Sequence, residues 1–201
     1  MSEVVVTHEH AADVEEVGSV PGINNRKFGM WLFIASEVMF FTALIGMFLA
    51  YRGQPSAIEF HSKLNIPLTA VNTFVLLTSS LTVVLSLSAA QAGNKRMLTV
   101  WLLATVILGS AFVSIQAVEY SRLGADGFVL ATSVGTSTFF VLTGFHGLHV
   151  IIGVLWCLVV LLRASRGGFS KENSVGVELF GLYWHFVDVV WIILFTAIYL
   201  L

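Results

Sequence analysis

Residues 137–162 read STFFVLTGFHGLHVIIGVLWCLVVLL, and this stretch decides the fold class. It contains no Lys, Arg, Asp or Glu. As a helix rising about 1.5 Å per residue, it is long enough to cross a hydrocarbon core of about 30 Å. Apolar and polar residues do not alternate, and the run far exceeds the roughly 10-residue strands of a membrane barrel. Backbone N–H and C=O groups facing lipid must be paired within their own segment, which leaves the helix. Four further apolar runs, at about 28–51, 67–92, 97–121 and 179–201, also lack Lys and Arg. The chain is therefore read as all-α, a polytopic membrane protein with a bundle of five transmembrane helices.

The composition agrees. Hydrophobic residues make up 57% of the 201 and charged residues 11%, with a mean hydropathy of +0.89. A soluble domain carries about 25% charged residues to keep its surface solvated. Ten Lys and Arg against twelve Asp and Glu give a net charge of −2, which argues against nucleic acid as a partner. The one cysteine, Cys157, lies inside an apolar run and excludes both a disulfide framework and a thiolate metal cluster. Three prolines and seventeen glycines exclude collagenous or Pro-rich disorder.

Residues 1–27 differ from the rest, with Glu3, Glu9, Asp13, Glu15 and Glu16 against Arg26 and Lys27. Without a basic start or a short apolar core before a cleavage site, they read as a mobile acidic tail rather than a signal peptide. The His8-Glu9-His10 triplet reads as part of a solvated terminus rather than a metal site. Gly93-Asn94-Lys95-Arg96 predicts a tight turn that makes helices 2 and 3 an antiparallel hairpin. Pro55 and Pro67 frame the loop before helix 2, Gly124 and Gly127 mark the next loop, and Gly167-Gly168 the last.

The cations give an orientation. Arg26, Lys27, Lys95, Arg96, Arg163, Arg166 and Lys171 fall on the side of the tail, and Arg52, Lys63 and Arg122 on the other. Seven against three puts the N-terminus in the cytoplasm and the C-terminus outside. Trp31, Trp101 and Tyr183 are read at the inner interface, and Tyr51, Tyr120 and Tyr199 at the outer one. Small residues suggest where helices approach closely: Thr78, Thr82, Ser86 and Ala90 on helix 2, and Ser110, Ser114 and Ala117 with Gly109 on helix 3. Gly144 and Gly147, flanking His146, are assigned the same role.

Ionisable groups inside a span are penalised by a few kcal/mol on insertion scales, so each needs a reason. Glu37 lies mid-span in helix 1. His146 and His149, three apart, are read on one face of helix 4, and His185 and Asp188 on one face of helix 5. These five are expected to face inward and satisfy one another as a buried polar cluster. Glu119, at the outer end of helix 3, is expected within reach of water or headgroups. Such a cluster suits a network that fixes helix register, a proton relay, a non-haem metal site including Glu37 or Asp188, or a bis-histidine haem site built from His149 and His185. His-x-x-His is not the metalloprotease signature, and no phosphate loop, dinucleotide fingerprint or nucleophile elbow occurs.

Several segments carry a family resemblance. Phe28-Gly-Met-Trp-Leu-Phe-Ile-Ala-Ser-Glu37-Val-Met-Phe-Phe41 resembles the first core helix of subunit III of the haem-copper oxidases. Thr138-Phe-Phe-Val-Leu-Thr-Gly-Phe-His146-Gly-Leu-His149-Val-Ile-Ile-Gly153 is similar to that family's two-histidine helix. Tyr183-Trp-His185-Phe-Val-Asp188-Val-Val-Trp191 is similar to its last helix, and Gln116-Ala-Val-Glu119-Tyr120 also fits. The resemblance runs from about residue 28 to the C-terminus.

It implies a non-catalytic subunit of a bacterial inner-membrane oxidase that reduces oxygen to water and pumps protons. Haem and copper would sit in subunits I and II, with none of these cofactors in this chain. The chain would pack on subunit I, lie near subunit II and a small subunit IV, bind phospholipid and support proton uptake. Glu37, His146, His149, His185 and Asp188 would then have structural or proton-environment roles. Longer family members have two more N-terminal helices that open a lipid-filled cleft; here the acidic tail stands in their place, as in five-helix bacterial forms. The exposed face is expected to be covered by another subunit's helices or by lipid. Cytochrome c is the expected electron donor, with a quinol oxidase, a nitric oxide reductase accessory chain and a free-standing proton channel as alternatives.

Overall fold

A computed structural model describes residues 25–169, 171 and 173–201. The tail's first 24 residues, with the His8-Glu9-His10 triplet, lie outside the described residues. The helices are α1 (Asn25–Tyr51), α2 (Pro55–His61), α3 (Ile66–Gln91), α4 (Lys95–Ala125), α5 (Val134–Ser165) and α6 (Val175–Phe195), the last continued by a π-helical turn, Thr196–Leu200. Five of them are long and apolar enough to span a membrane. α2 was not foreseen. Pro55 opens this short helix, and Pro67 sits in the first turn of α3, where a missing N–H costs nothing.

Each boundary has a local cause. Asn65, Asn94 and Ser133 cap α3, α4 and α5 by accepting from the backbone N–H groups of Leu68, Met97 and Thr136 at 3.1 Å. α3 ends as the sequence predicted, with Gly93 at φ 72°. There the Gly93 N–H bonds the Ala90 carbonyl at 3.0 Å and the Asn94 N–H bonds the Ala89 carbonyl at 2.9 Å. This paired closure uses the left-handed backbone that glycine adopts without a Cβ clash. α4 and α5 close the same way at Gly127 and Gly167, so Gly124 belongs to the helix and not to the loop.

The hairpin of α3 and α4 packs with α5 and α6 as a four-helix unit, and α1 lies outside it against α5 and α6. In their most apolar stretches, 56% of α6 residues are buried but only 11% of α1 residues, so α6 is the central helix and α1 the rim. At the end where α1 and α6 begin, Lys27 and Glu178 pair at 2.6 Å. At the other end, α2 rests on the start of α5, where a Cβ added at Gly135 would lie 2.6 Å from the Ala57 Cβ.

The core is aromatic. Trp184, Trp191, Phe112, Phe139 and Phe180 are among its fully enclosed side chains. The Trp184 ring lies in a notch between α4 and α5, and a Cβ at Gly109 or Gly153 would come within 2.7 Å of it. Its indole N–H donates to the Ser79 hydroxyl at 2.9 Å, and that of Trp191 donates to Thr73 at 2.9 Å.

Small residues thus do bring helices together, although not always those expected. Thr82 meets Thr105 of α4 at 2.8 Å, and Ser86 is buried with its hydroxyl bonded to its own helix. Ser110 and Ser114 instead face outward, with the Ser114 hydroxyl bonded to its own helix. Gly144 has open space beside it, whereas Gly147 receives the Gln116 side chain, whose Oε1 would be 3.1 Å from an added Cβ. The aromatic reading also needs correction. Tyr183 and Tyr199 are buried and Tyr120 is half-buried, because their hydroxyls find partners inside the bundle.

Overpacking a tight site typically costs about 1–3 kcal/mol. Gly153→Leu is expected to displace Trp184 and lower the melting temperature and yield of the detergent-solubilised protein, while Gly144→Ala leaves both near wild type. Equal behaviour of the two variants would contradict the notch.

Candidate functional site

The five expected cluster residues do not form one cluster. A helix turns about 100° per residue, so positions three apart differ by about 60° around the axis. On α5 that offset places His146 and His149 in different seams.

Glu37 of α1 and His149 of α5 do meet, with Oε2 and Nε2 3.2 Å apart. The other ring nitrogen of His149, Nδ1, lies 2.7 Å from the Phe145 carbonyl. A carbonyl only accepts, so Nδ1 carries a proton. With Nδ1 on that carbonyl, Nε2 is the ring nitrogen left to face the Glu37 carboxyl, so each polar group has a partner at membrane depth. Phe41 packs edge-on to the imidazole at 5.0 Å between centroids, and the Tyr183 hydroxyl donates to the His149 carbonyl at 2.9 Å. Side-chain exposures of 19% for Glu37 and 12% for His149 put the pair at the margin of the bundle, under α1.

His146 lies in the four-helix interior and is fully buried. Its ring stacks on Trp191 at 4.8 Å and meets the edge of Phe112 at 5.9 Å. Among the described residues neither ring nitrogen has a hydrogen-bond partner. Asn72 approaches the same aromatic group, donating to the Phe112 carbonyl at 3.2 Å, with its own Oδ1 unpaired.

His185 and Asp188 form a third group in the seam of α6 with α3. The Ser80 hydroxyl contacts His185 Nδ1 at 2.5 Å. Asp188 is buried, with the same hydroxyl beside it and no regular hydrogen bond to either carboxyl oxygen. His149 and His185 therefore serve different seams, and both ring nitrogens of His149 already face oxygen atoms. Among the described residues no group of three or more His, Cys, Asp or Glu side chains converges as a metal site.

Glu119 departs from its expected setting. It is 6% exposed and accepts hydrogen bonds from Thr69 at 3.1 Å and from Tyr199 at 3.3 Å. The π-helical turn ending α6 carries Tyr199 across the bundle to reach it. One turn deeper, Gln116 donates to the Thr143 carbonyl at 3.2 Å, and Tyr120 and Thr143 join hydroxyls at 2.6 Å. This knot of α3, α4, α5 and the terminal turn was not assembled from the sequence. Its signal was the Gln116, Glu119 and Tyr120 spacing, which puts three polar groups on adjoining turns of a helix.

Relatives place this arrangement. The family described as cytochrome c oxidase subunit III matches residues 9–201. The cytochrome c oxidase subunit 3 of Alkalihalophilus pseudofirmus is 37% identical over 182 residues, 88% of this chain and 87% of that one. The cytochrome bo(3) ubiquinol oxidase subunit 3 of Pseudomonas aeruginosa is 34% identical, covering 98% of this chain and 97% of its own. The quinol oxidase subunit 3 of Bacillus subtilis is 33% identical over 86% of this chain and 85% of that one. With a match through all five spans and both seams that hold Glu37 and Asp188, this chain belongs to the cytochrome c oxidase subunit III family.

Proposed function

We propose that this chain is the non-catalytic subunit III of a haem-copper respiratory oxidase in a bacterial cell membrane. In this reading it packs on subunit I, stabilises the complex and supports proton uptake. The observation that carries the reading is the family match over residues 9–201. Haem and copper then belong to subunits I and II, with subunit II and a small subunit IV as further neighbours. The polar side chains of this chain work as seams between helices. The excess of cations on the tail side supports a cytoplasmic N-terminus.

Cytochrome c is the proposed electron donor, in line with the name of the Alkalihalophilus relative. Quinol is the second reading, supported by the Pseudomonas relative, which spans almost the whole chain at similar identity. α1 is the helix most in need of a neighbour. Phe28, Trp31, Leu32 and Met39 are more than half exposed on it, and another subunit's helices or lipid are proposed to cover them.

Affinity capture of the tagged chain from its native membrane in mild detergent is expected to bring down large partner subunits with reduced-minus-oxidised haem bands. The chain expressed alone is expected to give none. Haem retained by the lone chain would mean that its histidines are ligands and would reject the reading.

Glu37→Gln preserves a donor toward His149 Nε2 and is expected to keep assembly within about 1 kcal/mol of wild type. Glu37→Lys places a cation beside the imidazole with no carboxyl to balance it and is expected to abolish most assembly, read as haem recovered with the tagged chain. Wild-type recovery in Glu37→Lys would show that the Glu37–His149 contact is not a structural seam. His149→Ala is expected to weaken the α1–α5 contact and leave every haem band of the complex in place.

A further inference from the structure

The outer side of α6 is a narrow stripe. Leu182, His185, Val189, Ile192 and Thr196 follow one another every three or four residues, each half-buried or exposed, while most residues between them are enclosed. The neighbouring Phe186 ring meets Phe41 of α1, and His185 Nδ1 meets the Ser80 hydroxyl of α3, so the stripe lies in the gap between α1 and α3.

His185 is the costly member of this stripe. It stands ten residues into the span Val175–Leu200, about 15 Å along a helix and so near the middle of a hydrocarbon core of about 30 Å. Thr196 satisfies its own hydroxyl by donating to the Ile192 carbonyl at 2.8 Å. His185 does not satisfy its second ring nitrogen. Nε2 has no hydrogen-bond partner among the described residues and, unlike both ring nitrogens of His146, is not sealed inside the bundle. It therefore opens on the outer surface at mid-depth.

That position selects the neighbour. Acyl chains offer no hydrogen bond, and an imidazole on a short side chain cannot reach the headgroups as a long Lys or Arg near a helix end does. Lipid against this face leaves Nε2 bare, which costs free energy. A polar side chain from an adjoining helix pairs it, and such bonds hold membrane helices together. The apolar contact for that helix is also present. Val189 is 54% exposed on α6, and Leu77 and Val84, three before and four after Ser80, are 40% and 50% exposed on α3.

We propose that this face of α6, with Leu77 and Val84 of α3, docks one transmembrane helix of the oxidase's large subunit, and that this helix presents a hydroxyl or amide side chain to His185 Nε2. The inference rests on the oxidase reading and adds to it the surface and the chemistry of the contact. It also gives the Ser80 contact a purpose, since a ring held at Nδ1 keeps Nε2 aimed outward.

The test uses the intact complex captured through this chain from its native membrane. The photoreactive residue benzoylphenylalanine is placed at Val189 or at Ile107, which is similarly exposed on α4, and cross-linked peptides are sequenced from the haem-containing fraction. Val189 is expected to link to a transmembrane segment of the large subunit that contains Ser, Thr, Asn or Gln, and Ile107 is expected not to reach that segment. His185→Leu is expected to lower the haem recovered per tagged chain about tenfold, and His185→Gln, which keeps a hydrogen-bonding group, to restore most of it.

Lipid adducts alone at Val189 in a haem-containing complex, or links only to a second copy of this chain, would overturn the proposal. Wild-type haem recovery in His185→Leu would overturn it too. If the altered chains do not assemble, a cryo-EM map of the wild-type complex decides. A neighbouring subunit's side chain within hydrogen-bond distance of His185 Nε2 supports the contact; acyl density or an ordered water alone there overturns it. A wild-type capture without haem or a large subunit would instead count against the oxidase reading itself, and this inference would go with it.

Discussion

The indole of Trp184 sets the spacing of the bundle. Lipid tails are as apolar as leucine, so burying apolar surface does not drive helices together inside a bilayer. Close packing and hydrogen bonds between helices must do so. Trp184 supplies both at once, with its ring in the notch left by Gly109 and Gly153 and its N–H on Ser79. One side chain of α6 thereby fixes α3, α4 and α5 around it. Trp191, bonded to Thr73 two turns further along, repeats the hydrogen bond to α3 and stacks on His146 of α5. α6 is central because its tryptophans are what the other helices are built to receive.

Polar groups at membrane depth follow the same logic, for want of water. Hydroxyl groups on α3 accept from the tryptophans of α6, and Thr82 with Thr105 closes the hairpin. Glu119 is held by two hydroxyl donors from elements distant in sequence. Glu37 solves the problem differently, pairing its carboxyl with the His149 imidazole in the seam between α1 and α5. These contacts define helix positions with directional bonds, which suits a subunit whose value to a complex is its shape.

α1 stands apart from this scheme. It touches α5 and α6 but leaves most of its surface uncovered, and the Glu37–His149 contact lies beneath it rather than in the centre. Its attachments include the polar pair at mid-depth, the Lys27–Glu178 pair at one end, and aromatic contacts such as Phe41 with Phe186. A helix held so sparingly within its own chain is the natural one to be completed by neighbours in a larger assembly.

Five spans, their extents to within about four residues at each end and the α3–α4 hairpin were legible in the sequence, because hydropathy, chain length and helix-stopping residues are local properties. The family resemblance was equally legible, since it rests on the order of residues around Glu37, His146 and His185. Pairing across helices was not. Nothing in a linear pattern tells which side of a 60° offset a histidine will take, so His146 and His149 were read as neighbours on one face when they serve different seams. Ser110 and Ser114 have the spacing of a packing face, yet face outward because the notch that receives α6 lies at Gly109, on the adjoining side of α4. Glu119 read as a headgroup-level residue because it stands near a helix end; the terminal turn that covers it arrives from 80 residues later. The sequence by itself determined that the chain crosses a membrane five times and to which family it belongs, since solvent and local geometry dictate both. Only the tertiary structure decided which polar groups meet, because that depends on helix rotation, and rotation is set by how Trp184 and its neighbours pack.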